Sequence, residues 1–135
     1  MKAWFDMSHL VGASGLEPGL FELVKIRASQ INGCANCLHL HTRDARAMGE
    51  SEERIYLLDA WRESSLYTSR ERAALAWTDA LTLLPTARAP DELYEALKAE
   101  FDEEEQVQLT LMINVINGWN RIAVGFGLVP PPAAA

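Results

Sequence analysis

Residues 22–41, ELVKIRASQINGCANCLHLH, hold both cysteines of the chain and two of its three histidines, with a glutamate at the front. The apolar positions Leu20, Leu23, Val24, Ile26 and Ile31 recur every three to four residues, the mark of an amphipathic helix. Glu17 and Pro18 open that helix, because proline suits a first turn where its missing N–H is not needed. Asn32-Gly33 ends it, with glycine supplying the left-handed stop. A second helix is expected from about Cys34 to Met48, closed by Gly49. The stretch is therefore a helix–turn–helix unit with its cysteines at the turn.

On a helix starting at Cys34, Cys34 and Cys37 are i,i+3 and Cys37 and His41 are i,i+4, so these three share one face. His39 lies about 200° round from Cys37 and points elsewhere. Four chemistries are open to such a set. A permanent disulfide is disfavoured if the chain is cytoplasmic. A zinc site wants four tetrahedral ligands, and the helix offers three in one direction, with Glu22 of the preceding helix as the only candidate fourth. Two ordinary core cysteines are the bland alternative. A reversible thiol pair fits better, because a helix N-terminus favours a thiolate and His41 can take up a thiol proton. Glu22 could then orient the imidazole. A c-type haem site fails, since Leu38 follows Cys37.

Outward from this unit the chain stays helical, with no alternation of strand length. A short helix is expected after Ser51. Thr68 and Glu71 have capping-box spacing for a helix over Ser69–Leu84, which should bury Ala73, Leu75, Ala76, Trp77, Ala80, Leu81 and Leu84 and end at Pro85. Pro90 and Asp91 start another, ending near Ala99. Asp102 and Glu105 form a second capping box for a helix of about 103–126, roughly 36 Å long. Within it Asn114, Asn117 and Asn120 recur every three residues beside Gly118 and Arg121. That row is an exposed stripe, an intersubunit contact or a site lining, and Gly118 permits close approach of another helix. Trp61, Tyr67 and Trp77 are read as core aromatics rather than a substrate channel.

The 135 residues suit one all-α domain over 16–128, with an N-terminal arm at 1–15 and a flexible tail at 129–135. Lys+Arg total 12 against Asp+Glu 19, a formal charge of −7, and no basic cluster opposes that field, so nucleic acid is not an expected partner. Asp6 and His9 interrupt the apolar N-terminus, so it does not read as a secretory signal. No stretch reaches the apolar length of a membrane helix. The protein is expected to be cytoplasmic, away from membranes.

Glu22, eleven residues, Cys34, two residues, Cys37, three residues and His41 match the E-x11-C-x2-C-x3-H signature of the alkyl hydroperoxidase D (AhpD) family. That family lies within the carboxymuconolactone decarboxylase-like superfamily. INGCANCLHLHTRDAR resembles the motif region of its short single-domain members, with the match running from about Gly19 to about Leu84. LTLMINVINGWNRIAVGFG is similar to the family's last helix. The resemblance implies an all-α, AhpD-like helical domain that oligomerises through helix packing, as a homo-trimer or hexamer. It also implies thiol-dependent peroxidase or disulfide reductase activity without metal, haem or flavin.

By position, Cys37 would attack a hydroperoxide, Cys34 would resolve the product as a disulfide, and Glu22 with His41 would relay protons. An external dithiol would then reduce the pair. Helix electrostatics alone would favour Cys34 as the more acidic thiol, whereas His41 is closer to Cys37; the resemblance selects Cys37. The best-studied branch has a relay histidine just before the second cysteine, where this chain has Asn36, which cannot titrate. That branch's lipoyl-bearing reductant is therefore not carried over. The paired cysteines argue against lactone decarboxylation. The alternatives are a protein or lipoyl disulfide oxidoreductase, or a non-enzymatic helical assembly module with structural or zinc-binding cysteines.

Overall fold

The computed structural model describes residues 1–133; of the tail expected at 129–135, Ala134 and Ala135 lie outside the described residues. The described chain forms helices α1 (Lys2–Gly12), α2 (Pro18–Asn32), α3 (Ala35–Ala47), α4 (Glu52–Tyr56), α5 (Ser69–Thr82), α6 (Leu84–Ala87), α7 (Asp91–Glu100) and α8 (Glu103–Gly125). A short 3₁₀ segment, Leu58–Glu63, joins α4 to α5. No strand occurs among the described residues. No helix among them is long and apolar enough to cross a membrane.

The helix ends follow the local chemistry. Pro18 stands in the first turn of α2, and Gly33 ends that helix in the left-handed region at φ 65°. Cys34, Ser51, Thr68 and Asp102 each accept a backbone N–H at their own helix start. Both capping boxes form, and each glutamate has a second task. Glu71 also binds Arg54 of α4, and Glu105 accepts Arg70 Nη2 at 2.6 Å while Arg70 reaches Glu17 at 2.9 Å. The caps thus tie helix starts together as well as satisfying their N–H groups.

α2 is the centre of the molecule. The sequence pattern suggests one apolar face, but Leu20–Val24 and Ile26–Ser29 are all buried. One side packs with Val11, Leu97, Phe101, Leu109 and Met112; the other packs with Ala45, Leu58, Trp61, Tyr67 and Leu75. A helix enclosed by α3, α5 and α8 must find partners for any polar side chain it carries. Glu22, Arg27 and Ser29 are buried, and each has them.

Residues 1–15, expected as an arm, instead carry α1, which folds back along α8. The ring centroids of Trp4 and Trp119 lie 5.9 Å apart, and Trp119 Nε1 donates to Ser8 Oγ at 2.9 Å. Trp4 lies directly over Gly118, where an added Cβ would fall 2.6 Å from Trp4 Cη2. Alanine gains about 1 kcal/mol of helix propensity over glycine. Pushing a packed aromatic aside costs about 1–3 kcal/mol. Gly118→Ala is accordingly expected to lower the melting temperature, and a rise would show that α1 docking counts for less than propensity.

The asparagine row is neither an exposed stripe nor, in Asn117 and Asn120, free to meet another subunit. Asn32 Nδ2 donates to Asn117 Oδ1 at 2.9 Å and to Asn120 Oδ1 at 2.8 Å. Asn120 Nδ2 donates to Ser29 Oγ at 3.0 Å and Asn117 Nδ2 to Thr82 Oγ1 at 3.1 Å. The row pins the C-terminal end of α2 to α8, and only Asn114 is left exposed. Leu84, expected in the core, is 45% exposed, because α5 stops at Thr82 and Pro85 starts a separate turn.

Candidate functional site

The site is built at the α2–α3 turn. Gly33 reverses the chain without a Cβ clash and delivers Cys34 to the N-cap position of α3. Cys34 Sγ accepts the N–H of Cys37 at 3.2 Å. The two cysteines are joined as a disulfide, with Cα atoms 5.3 Å apart. They are 1% and 4% exposed and pack against Ala123 of α8. The cover from α8 is a feature that spacing within the motif could not show.

One turn on, His41 faces back toward α2. Its Nδ1 lies 3.2 Å from Glu22 Oε2, and that side chain is only 5% exposed. Lys25 Nζ donates to the other oxygen, Glu22 Oε1, at 3.0 Å. Asp44 Oδ2 stands 3.9 Å from His41 Nδ1 on the solvent side. Burial works to raise the carboxyl pKa of Glu22, but the hydrogen bond from His41 and the charge and hydrogen bond of Lys25 outweigh it. The net value lies below the ordinary 4.5. With Glu22 ionised, a neutral His41 carries its proton on Nδ1 and its lone pair on Nε2.

The four expected residues therefore converge. Glu22 and His41 are in contact across two helices, Cys34 and Cys37 are bonded, and Cys37 and His41 are one turn apart on α3. His39 points away, within 3.3 Å of Arg43 on the outer face of the same helix. Asn36 is half-buried and makes no side-chain hydrogen bond among the described residues. Lys25 and Asp44 were missed, although their i,i+3 spacing from Glu22 and His41 is visible in the sequence. Glu22, His41 and Asp44 also present three ligand atoms within 4.8 Å of one another. A zinc set drawn from the motif, the disfavoured alternative, would need both thiolates, and here the sulfurs are bonded to each other.

An all-α chain with a Cys-x2-Cys pair capping one helix and a glutamate–histidine pair beside it has the AhpD-like architecture. The chain belongs to the carboxymuconolactone decarboxylase family, whose model matches residues 1–80. It is 49% identical over 127 residues to the uncharacterized protein YdfG of Bacillus subtilis, covering 94% of this chain and 86% of that one. The crystal structure of ATU0492 from Agrobacterium tumefaciens, a protein of unknown function described as a candidate antioxidant defence protein AhpD, superposes with a TM-score of 0.95. That protein is 47% identical, and the match covers 98% of this chain and 90% of that one. A shorter stretch of 48 residues is 40% identical to the alkyl hydroperoxide reductase AhpD of Nocardia farcinica, covering 36% of this chain and 27% of that protein.

Proposed function

We propose that the chain is a thiol-dependent peroxidase that reduces hydrogen peroxide or small organic hydroperoxides at Cys37. The observation that carries this is the contact between the buried Glu22 carboxylate and the half-buried His41, which stands one turn from Cys37 on the helix that Cys34 caps. A disulfide alone needs no carboxylate and imidazole beside it; a thiol that must lose its proton does.

In the forward step His41 Nε2 takes the proton of Cys37, and the thiolate attacks one peroxide oxygen. The O–O bond breaks, Cys37 becomes a sulfenic acid, and the departing hydroxide or alkoxide takes the proton held by His41 and leaves as water or alcohol. Cys34 then attacks that sulfur, forming the Cys34–Cys37 bond and releasing water. An external dithiol closes the cycle through a mixed disulfide, ending as a disulfide itself while both thiols are restored. Cys37 is the less buried residue of the two, and its sulfur would be the one attacked. Cys34 would leave as a thiolate held by the N–H of Cys37. Asn36 bonds to no part of this relay, which consists of Glu22 and His41.

In this account the protein works in the cytoplasm, where an exchangeable dithiol is at hand, and assembles as a homo-oligomer. Phe5 and Leu10 of α1 and Val124, Phe126 and Leu128 at the end of α8 expose the apolar area available for assembly.

Peroxide consumption by the reduced chain with dithiothreitol as reductant tests the proposal against its rival, a disulfide oxidoreductase. Faster turnover of hydroperoxide than of lipoamide or a protein disulfide is expected, and the reverse order would favour the rival. Glu22→Gln should lower kcat/KM for peroxide about 10²-fold, within the range for removing general acid–base help. An unchanged rate would remove Glu22 from the relay.

A further inference from the structure

We propose that Lys25 is a positioning residue of this site: it holds one oxygen of the Glu22 carboxylate so that the other is kept for His41 Nδ1. This deepens the proposed function, since it concerns the same carboxylate–imidazole pair. The geometry is specific. Glu22 divides its two oxygens, Oε1 to Lys25 Nζ at 3.0 Å and Oε2 to His41 Nδ1 at 3.2 Å. The carboxylate side chain is 5% exposed and the Lys25 side chain 20%, so this ion pair is screened far less than a surface pair. Lys25 and Glu22 are i,i+3 on α2, a helix packed by α3, α5 and α8, so the ammonium fixes the rotation of the carboxylate before His41 meets it.

Other charges near the pair do not take this place. Arg27, the other cation in this part of α2, is engaged by Asp79 and Asp59. From α3, Asp44 lies 3.9 Å from His41 Nδ1 and is 61% exposed, a solvated anion that adds negative charge. His39 and Arg43 face each other on the outer side of α3. From α8, which covers the disulfide, the one charged residue of the C-terminal half is Arg121, exposed and without an ion pair among the described residues. Lys25 is thus the cation that offsets two carboxylates around one imidazole. Without it, burial favours a protonated Glu22, and the pair takes up its second proton at higher pH. An imidazole with both nitrogens protonated cannot accept the thiol proton, so the acid limb of turnover should move upward with it.

The test uses Lys25→Gln and Lys25→Arg in the full chain, kept oxidised so that neither cysteine titrates. NMR of the His41 ring follows proton uptake by the pair, and thermal melting reports the fold. Lys25→Gln should raise the pH of that uptake by about half to one unit. Lys25→Arg should restore it, and the shift should vanish in a Glu22→Gln background. The acid limb of kcat/KM for peroxide should follow the same shift, with the rates of Lys25→Gln and wild type converging at alkaline pH. An unmoved uptake, or an equal loss of rate at every pH with a lower melting temperature, would overturn the inference and leave Lys25 a structural salt bridge. The NMR shift without peroxide turnover in the wild type would instead overturn the peroxidase and keep the positioning role.

Discussion

Cys37→Ser is expected to abolish dithiol-dependent peroxide consumption, a fall of at least about 10³-fold. The hydroxyl that replaces the thiol stays protonated near neutral pH, and oxygen cannot pass through the sulfenic acid and disulfide states on which turnover depends. The fold should survive, because the substitution is nearly isosteric and the hydrogen bond into the α3 N-cap comes from the backbone N–H of residue 37. Cys34→Ser should differ in kind. It keeps the attacking thiol and its relay, so one turnover should leave a sulfenic acid on Cys37, trapped by a dimedone-type reagent. If Cys37→Ser kept full activity while Cys34→Ser lost the first turnover, the roles of the two cysteines would be exchanged.

The largest stability effect is expected away from the cysteines, at Asp79. Its side chain is 8% exposed, and the carboxylate receives Arg27 Nε at 2.7 Å, Arg27 Nη2 at 3.3 Å, Arg62 Nη1 at 2.8 Å and Trp61 Nε1 at 3.3 Å. Asp79→Ala would leave the buried Arg27 with Gln30 and with Asp59, whose side chain is 79% exposed. Breaking a buried ion pair from one side costs about 3–5 kcal/mol. A small domain holds about 5–15 kcal/mol in total, so much of the stability would go. Asp59→Asn, which touches the solvent-exposed end of the same cluster, should cost under about 1 kcal/mol. Urea unfolding of the oxidised variants separates the two. Equal, small changes would mean that water reaches Arg27 when Asp79 is removed.

Helices α2–α5, α7 and α8 were legible because their start and stop signals are local, whereas Pro85 signals only the end of α5 in the sequence and not the turn of α6. Pro18, Gly33, Ser51, Thr68 with Glu71, and Asp102 with Glu105 act within one turn of themselves. α1 lacks such a signal. Its N-cap is Met1 with no side-chain bond, and what holds it is Trp4 against Gly118 and Trp119, more than a hundred residues away. The 3₁₀ segment at Leu58–Glu63 was missed for a related reason: it is set by Leu58 and Trp61 filling the far side of α2.

In the site, Glu22, Cys34, Cys37 and His41 were legible because a fixed spacing across one glycine turn leaves two helices few ways to meet. Arg27 and Asp79 are 52 residues apart, and their pairing depends on how α5 crosses α2. The burial of α2 on every side was likewise hidden, since periodicity reports one apolar face and not how many neighbours a helix will have.

The proposed cycle makes Cys34 and Cys37 a reversible pair driven by peroxide. Its most direct measurement is titration of the reduced chain with hydrogen peroxide, followed by peptide mass spectrometry. Loss of two hydrogens is expected in the peptide joining Cys34 to Cys37, complete near one peroxide per chain and fully reversed by a dithiol. Thiols that stay reduced under peroxide, or that are held by one zinc ion per chain and reappear only on chelation, would contradict it.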